Sequence, residues 1–286
     1  MLSLSTGALA CSDDALNTFR LLPVSSDLGP VGTINYRQTL PLRDKEVVLT
    51  FDDGPMPVRT EKVLRALSDE CVKATFFMVG SMVAAYPRVA KMVAEEGHTI
   101  GNHTWSHRYL DRARNASLQD GEIAGGLLAI NAITRDHPDS MSSFFRFPGL
   151  GRTRQLERLL TELDAIPLSA DVVGDDWHRI SSDQVLERTM RRLRERGRGI
   201  ILLHDIHNRT VAMVPELLRS LKREGFKVVH LLPDRREAEF AVAHAPEVSS
   251  RRIQVALGKL MQPEVAPVAP SKPFEIQISA LRGALD

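Results

Sequence analysis

"VVLTFDDGP", residues 47–55, ends an apolar, β-branched run on two adjacent carboxylates, followed by a glycine and a proline. A strand that delivers two like charges to one point needs a cation or an arginine nearby to keep both ionised. Asp and Gly are also ordinary turn formers, so the doublet gains meaning only from what accompanies it. From residue 45 onward, short β-branched runs alternate with longer amphipathic ones, the pattern of a parallel sheet with crossover helices. Strands are expected at 46–51, 74–80, 98–103, 143–147, 165–171, 199–205 and 227–233. Helices are expected around 59–70, 82–96, 117–135, 153–163, 182–196 and 211–224. "EEGHTI", "ERGRGI" and "REGFKV" each place a glycine just past a helix end, where a left-handed C-terminal cap requires one. The fold class is α/β. About seven parallel strands in strict alternation with helices predict a closed or nearly closed barrel, although an open doubly wound sheet shares the local pattern.

The doublet has company at the same end of these strands. Asp52 and Asp53 follow the first strand, His103 the third, Arg146 the fourth, Asp171 the fifth and His204 the sixth. In parallel β/α architectures that face carries the active site. "HTWSH" places His103 and His107 four apart, a spacing that brings two imidazoles onto one side of a helical turn and lets both ligate one metal. Thr104 stands where the HExxH motif has its glutamate base, so the base must come from elsewhere. Of Asp52 and Asp53, one can complete a two-His, one-carboxylate set while the other takes a proton from water. His204, closing the apolar "GIILLH", is either a core histidine or a general acid tuned by a carboxylate, for which Asp171 is the candidate. His207 reads as surface.

Composition limits the rest. With 37 Lys plus Arg against 36 Asp plus Glu, the net charge of +1 provides no whole-molecule field to gather nucleic acid or an anionic membrane, so a neutral substrate is the default. The basic run "RRLRERGR" (191–198) reads as a solvated helix face. Two cysteines cannot build a disulfide framework. Cys71 reads as a small buried hydrophobe, and Cys11, after "MLSLSTGALA", as part of a degenerate lipoprotein signal that lacks a basic leader. No stretch reaches the roughly 18 apolar residues of a membrane span. Residues 1–43 read as an irregular lead-in, 44–233 as the catalytic domain and 234–286, with "PEVAPVAPSKP", as a Pro/Ala-rich extension.

Taken together, the motifs resemble those of the polysaccharide deacetylases of carbohydrate esterase family 4, the NodB homology domain. "TFDDGP" (50–55) matches the first motif and "HTWSH" the second. "RFPG" (146–149) resembles the third, "DVVGDDW" (171–177) the fourth and "LLH" (202–204) the fifth. The resemblance implies a distorted (β/α) barrel in which Asp53, His103 and His107 bind a divalent metal, commonly zinc, with cobalt an alternative. It implies Asp52 as general base, Arg146 as the group that orients it and His204 as general acid. Trp177 and Leu202 would line the acetyl pocket, and a backbone N–H just after Pro148, at Gly149, would help bind the oxyanion. The third motif often ends in an aromatic residue where this chain has Gly149. The fourth is stretched, so that counting from "SAD" selects Asp171 and counting back from Trp177 selects Val173.

The implied activity is removal of N-acetyl groups from an N-acetylglucosamine-containing polysaccharide such as peptidoglycan or a chitin oligomer. An O-acetyl esterase acting on xylan, a non-catalytic carbohydrate-binding relic and a small-molecule amidohydrolase are the rival expectations. Acetylated polymers lie mostly outside the cytoplasm, so a periplasmic, secreted or lipid-anchored location follows from the activity.

Overall fold

Nine parallel strands and seven helices make up residues 11–233, the part of the chain that the computed structural model describes. The strands are β1 (Thr18–Val24), β2 (Glu46–Asp52), β3 (Thr75–Met78), β4 (Thr99–Asn102), β5 (Met141–Phe145), β6 (Ile166–Pro167), β7 (Val172–Val173), β8 (Gly199–His204) and β9 (Lys227–Pro233). The helices are α1 (Arg59–Asp69), α2 (Gly80–Ala85), α3 (Pro87–Glu95), α4 (Ala116–Thr134), α5 (Arg154–Glu162), α6 (Ser182–Arg196) and α7 (Asn208–Arg223). Hydrogen bonding runs β1-β9-β2-β3-β4-β5-β6, with β8 beside β2 and β7 beside β8. The sheet curls into a barrel that does not close between β6 and β7.

Alternation along β2 sorts its side chains into two layers. Val47, Leu49 and Phe51 face the helices, packing with Leu64 and Leu67 of α1 and Leu217 and Leu221 of α7. Val48 faces inward with Phe77, Phe144, Ile200 and Val229. Gly97, Gly197 and Gly225 have φ of 73°, 76° and 73°, the left-handed caps expected of them.

Four departures from the sequence expectation have physical causes. The single strand expected at 165–171 is two fragments, because the carbonyls of Leu168 and Ser169 are taken by the Arg146 guanidinium instead of a neighbouring strand. The single helix expected at 82–96 is two, since Pro87 cannot donate to the preceding turn and starts α3 instead. The lead-in is not irregular throughout: β1 adds to the sheet beside β9. Val24, Val31, Leu40 and Leu42 then fill the barrel interior.

The fourth departure concerns the cysteines. Cys11 and Cys71 form a disulfide, so Cys71 is not a free hydrophobe and the Cys11 sulfur is not available to carry a lipid. In the basic run of α6, Arg192 binds Val173 O and Asp175, and Arg194 binds Glu224. The run is therefore partly a structural clamp. Among the described residues no helix is long and apolar enough to cross a membrane. The Pro/Ala-rich extension expected at 234–286 lies outside the described residues.

Candidate active site

The inward parity of β2 carries through Val48 and Thr50 to Asp52, and that of β8 through Ile200 and Leu202 to His204. Asp52 and His204 are register partners on these adjacent strands, so a carboxylate and an imidazole stand side by side on the inner face. Arg146 enters one residue beyond β5 and is 1% exposed. Its Nη1 donates to Asp52 Oδ1 and to Thr50 Oγ1, both at 2.7 Å. Nε and Nη2 donate to the carbonyls of Leu168 and Ser169, and the guanidinium lies 4.0 Å from the Phe77 ring centroid. Every direction of this buried cation is satisfied, which fixes Asp52 in turn.

Asp53 leaves the strand with φ of 75°, a left-handed conformation that Asp tolerates better than most residues. This turn gives adjacent carboxylates different surroundings. Asp53 Oδ1 lies 3.3 Å from His103 Nε2 and 3.1 Å from His107 Nε2, is buried, and has no aligned hydrogen-bond donor. Burial alone would raise its carboxyl pKa, but His107 and His103 outweigh this and hold it well below the usual range. The other nitrogen of His103, Nδ1, is 2.8 Å from the Arg146 carbonyl, which orients the ring with Nε2 toward Asp53.

One ligand atom from each of Asp53, His103 and His107 lies within 4.8 Å of the other two. A buried carboxylate oxygen without an aligned donor, facing two imidazole nitrogens, fits a divalent cation. The two histidines are not on a helical turn as their spacing predicts. They lie in a loop in which Thr104 and His107 have φ of 68° and 58°. That loop is held by α4: Asn102 links Thr104 N to Ile123 O, and Glu122 accepts from Ser106 N and Oγ. Gly126 is required in α4, because a Cβ there would fall 2.1 Å from Asn102 Oδ1.

The carboxylate on His204 is Asp176, not Asp171. Asp176 Oδ1 lies 2.7 Å from His204 Nδ1, while Oδ2 accepts from His204 N and Thr210 Oγ1. Burial pulls the His204 imidazolium down, but Asp176, with help from Asp53 and Asp52, pushes its pKa up to about 10. Asp171 instead accepts from Thr33 N and Oγ1, Thr39 Oγ1 and Ile200 N. Its task is to fasten the lead-in to the start of β8, at the far end of that strand from His204. His207 is not simply surface: it is half-buried, with its ring 5.7 Å from that of His204.

Of the remaining expected residues, Trp177 packs edge-on to His204 at 5.7 Å and Leu202 is buried on the inner face of β8. Pro148 begins a tight turn in which Gly149 has φ of 60°. The N–H groups of Leu150 and Gly151 are taken by Phe147 O and Pro148 O. A Cβ at Gly149 would sit 2.0 Å from Tyr109 Cε1, so Tyr109 fills the space beside this turn.

The sequence profile of the polysaccharide deacetylase family matches residues 39–166. A chitooligosaccharide deacetylase of Bradyrhizobium sp. (strain ANU 289) is 31% identical over 203 residues, covering 66% of this chain and 90% of the relative. The chain belongs to the polysaccharide deacetylase family. A peptidoglycan-N-acetylglucosamine deacetylase of Listeria monocytogenes is 32% identical over 186 residues, but those cover 65% of this chain and only 38% of the Listeria protein. Among solved structures, a Bdellovibrio bacteriovorus peptidoglycan deacetylase superposes with a TM-score of 0.67 at 31% identity, over 78% of this chain and 62% of that one. The shared fold is the curled, parallel α/β barrel, and the family is metal-dependent, in keeping with the Asp-His-His cluster.

Proposed function

We propose that this polysaccharide deacetylase hydrolyses N-acetyl groups on an N-acetylglucosamine-containing glycan. The observation that carries the reading is the pairing of Asp52 and His204 beside the Asp53, His103 and His107 cluster, each held by its own buried counter-ion. Two imidazoles and one carboxylate suit zinc best, with cobalt as an alternative. A divalent cation held there supplies Lewis acidity, polarising an acyl oxygen and making water easier to ionise.

The chain's own groups do the rest. Asp52, oriented by Arg146, accepts the proton of the attacking water. The N–H of Gly149 donates to the oxygen on which negative charge develops. His204, protonated and fixed through Nδ1 by Asp176, gives a proton to the departing amine nitrogen. Trp177 and Leu202 form the apolar surface for the acetyl methyl. Amide cleavage is favoured over ester cleavage because the built-in imidazolium matters most for a poor leaving group. The intact set of acid, base and ligands separates this chain from a non-catalytic relic. An oxidising location outside the cytoplasm suits both a polymeric acetylated substrate and the Cys11–Cys71 disulfide.

The test is acetate release from N-acetylglucosamine oligomers and from acetylated xylan, by protein stripped with a chelator and then restored with zinc or cobalt. Metal-dependent release from the amide substrate is expected. Release from xylan alone would move the reading to an esterase, and release from neither, with metal bound, would overturn it.

A further inference from the structure

The near-zero net charge conceals a strong polarity along the barrel axis. The loops and first helical residues beyond the strand ends, which surround the site, carry Arg59, Arg108, Arg112, Arg114, Arg179 and Arg209. The acids in the same segments are mostly withdrawn. Asp53, Asp175, Asp176 and Asp205 are all buried, and Asp175 is already held by Arg188 and Arg192, leaving Asp111 as the exposed acid. The turns at the opposite end carry acids such as Glu70, Glu96, Asp136 and Asp139.

Contacts tie the arginines to the site. Arg59 donates to Asn208 at 2.7 Å, joining the loops after β2 and β8. Arg209 donates to the carbonyl of Asp176, the residue that holds His204, at 3.3 Å. Arg108 follows His107 directly, and its side chain is 57% exposed, with Glu122 at 3.7 Å as its partial counter-charge. Arg112 is exposed and stacks 4.7 Å above the Tyr109 ring, which lies 5.9 Å from the ring of His107. Arg114 and Arg179 are exposed.

We infer that the glycan this site takes is anionic, with carboxylate-bearing sugars that lie against this arginine rim on either side of the N-acetylglucosamine being deacetylated. The inference rests on the deacetylase reading and narrows its substrate class. Exposed arginines bind carboxylates weakly one at a time. Several around one mouth, with a low-dielectric floor, raise the local concentration of an anionic chain and favour it over a neutral one.

The test uses the full chain and three peptide-free hexamers: neutral N-acetylglucosamine, N-acetylglucosamine alternating with N-acetylmuramic acid, and the latter with its carboxyls reduced to alcohols. Kd and kcat/KM are measured at about 20 and 200 mM salt, where the screening length falls from ~20 to ~7 Å. The anionic hexamer is expected to bind about tenfold more tightly than either uncharged one at low salt, and about twofold at high salt. Replacing Arg108, Arg112, Arg114 and Arg179 together by Gln should remove most of that advantage while leaving the neutral hexamer within about twofold. Equal binding of all three, a salt-independent preference, or equal loss on every substrate would overturn the inference. Tight, salt-sensitive binding of the anionic hexamer with no acetate released from any would instead overturn the deacetylase reading and leave the anionic rim standing.

Discussion

Replacing Asp176 by Asn keeps the side chain's shape and removes the charge that faces His204. In the native protein the imidazolium is stabilised from an ordinary value of 6.5 to about 10, which at ~1.4 kcal/mol per pH unit amounts to ~5 kcal/mol in favour of the protonated ring. Asp176 is the foremost source of that stabilisation and opposes the burial that acts the other way. His204 must be protonated to serve as an acid, so activity is held below its pKa and falls as pH rises through it. In Asp176→Asn this alkaline limb should move down by at least about one unit, and kcat near neutrality should drop by roughly two orders of magnitude or more. The assay is the pH dependence of kcat for acetate release, with Asp171→Asn as comparator. Asp171 contacts Thr33, Thr39 and Ile200, so its variant should lose stability but keep the limb in place. An unmoved limb in Asp176→Asn, or a moved one in Asp171→Asn, would refute the assignment of the acid's partner.

Two further outcomes concern stability. Arg20 binds Glu46 through two hydrogen bonds and lowers its pKa from 4.5 to about 2. The associated stability, about 3 kcal/mol, is fully present above the unfolded pKa and lost as pH falls toward 2; Glu46→Gln should therefore flatten the acid arm of a urea-midpoint titration, and an unchanged arm would contradict the pairing. The Cys11–Cys71 bridge spans 60 positions, a closure worth ~4 kcal/mol in the chain-entropy treatment. Reduction or Cys11→Ser should lower the denaturant midpoint accordingly, and an equal midpoint with and without reductant would show that the bridge does not constrain the unfolded chain.

Much of the fold is legible because its signals are local. The apolar run before Asp52, the left-handed caps at Gly97, Gly197 and Gly225, and the strand-end placing of Asp52, His103, Arg146 and His204 are all read within a few residues. What escaped depends on contacts distant in sequence. β1 is a strand only because β9 lies beside it, and the 165–171 segment breaks only because Arg146, about twenty residues earlier, takes its carbonyls. Cys11 and Cys71 find each other across the lead-in. The choice of Asp171 failed because strand-end position was weighed above register. Asp176, directly before Trp177, reaches back from the loop to the end of β8, and only the fold shows that reach. Glu122 and Asn102, which set the histidine loop, carry no motif of their own.

The grip of Asp171 on Thr33, Thr39 and Ile200 alters what counts as the unit of folding. Residues 31–42 supply apolar side chains to the barrel's centre, and Val31 bridges Leu168 next to a carbonyl that Arg146 uses. The preamble to the motifs is thus the keystone of the unclosed arc, seated in the gap between β6 and β7. A protein trimmed to the motif-bearing segment would keep the named catalytic residues and lose the piece that keeps the two sides of the arc in step.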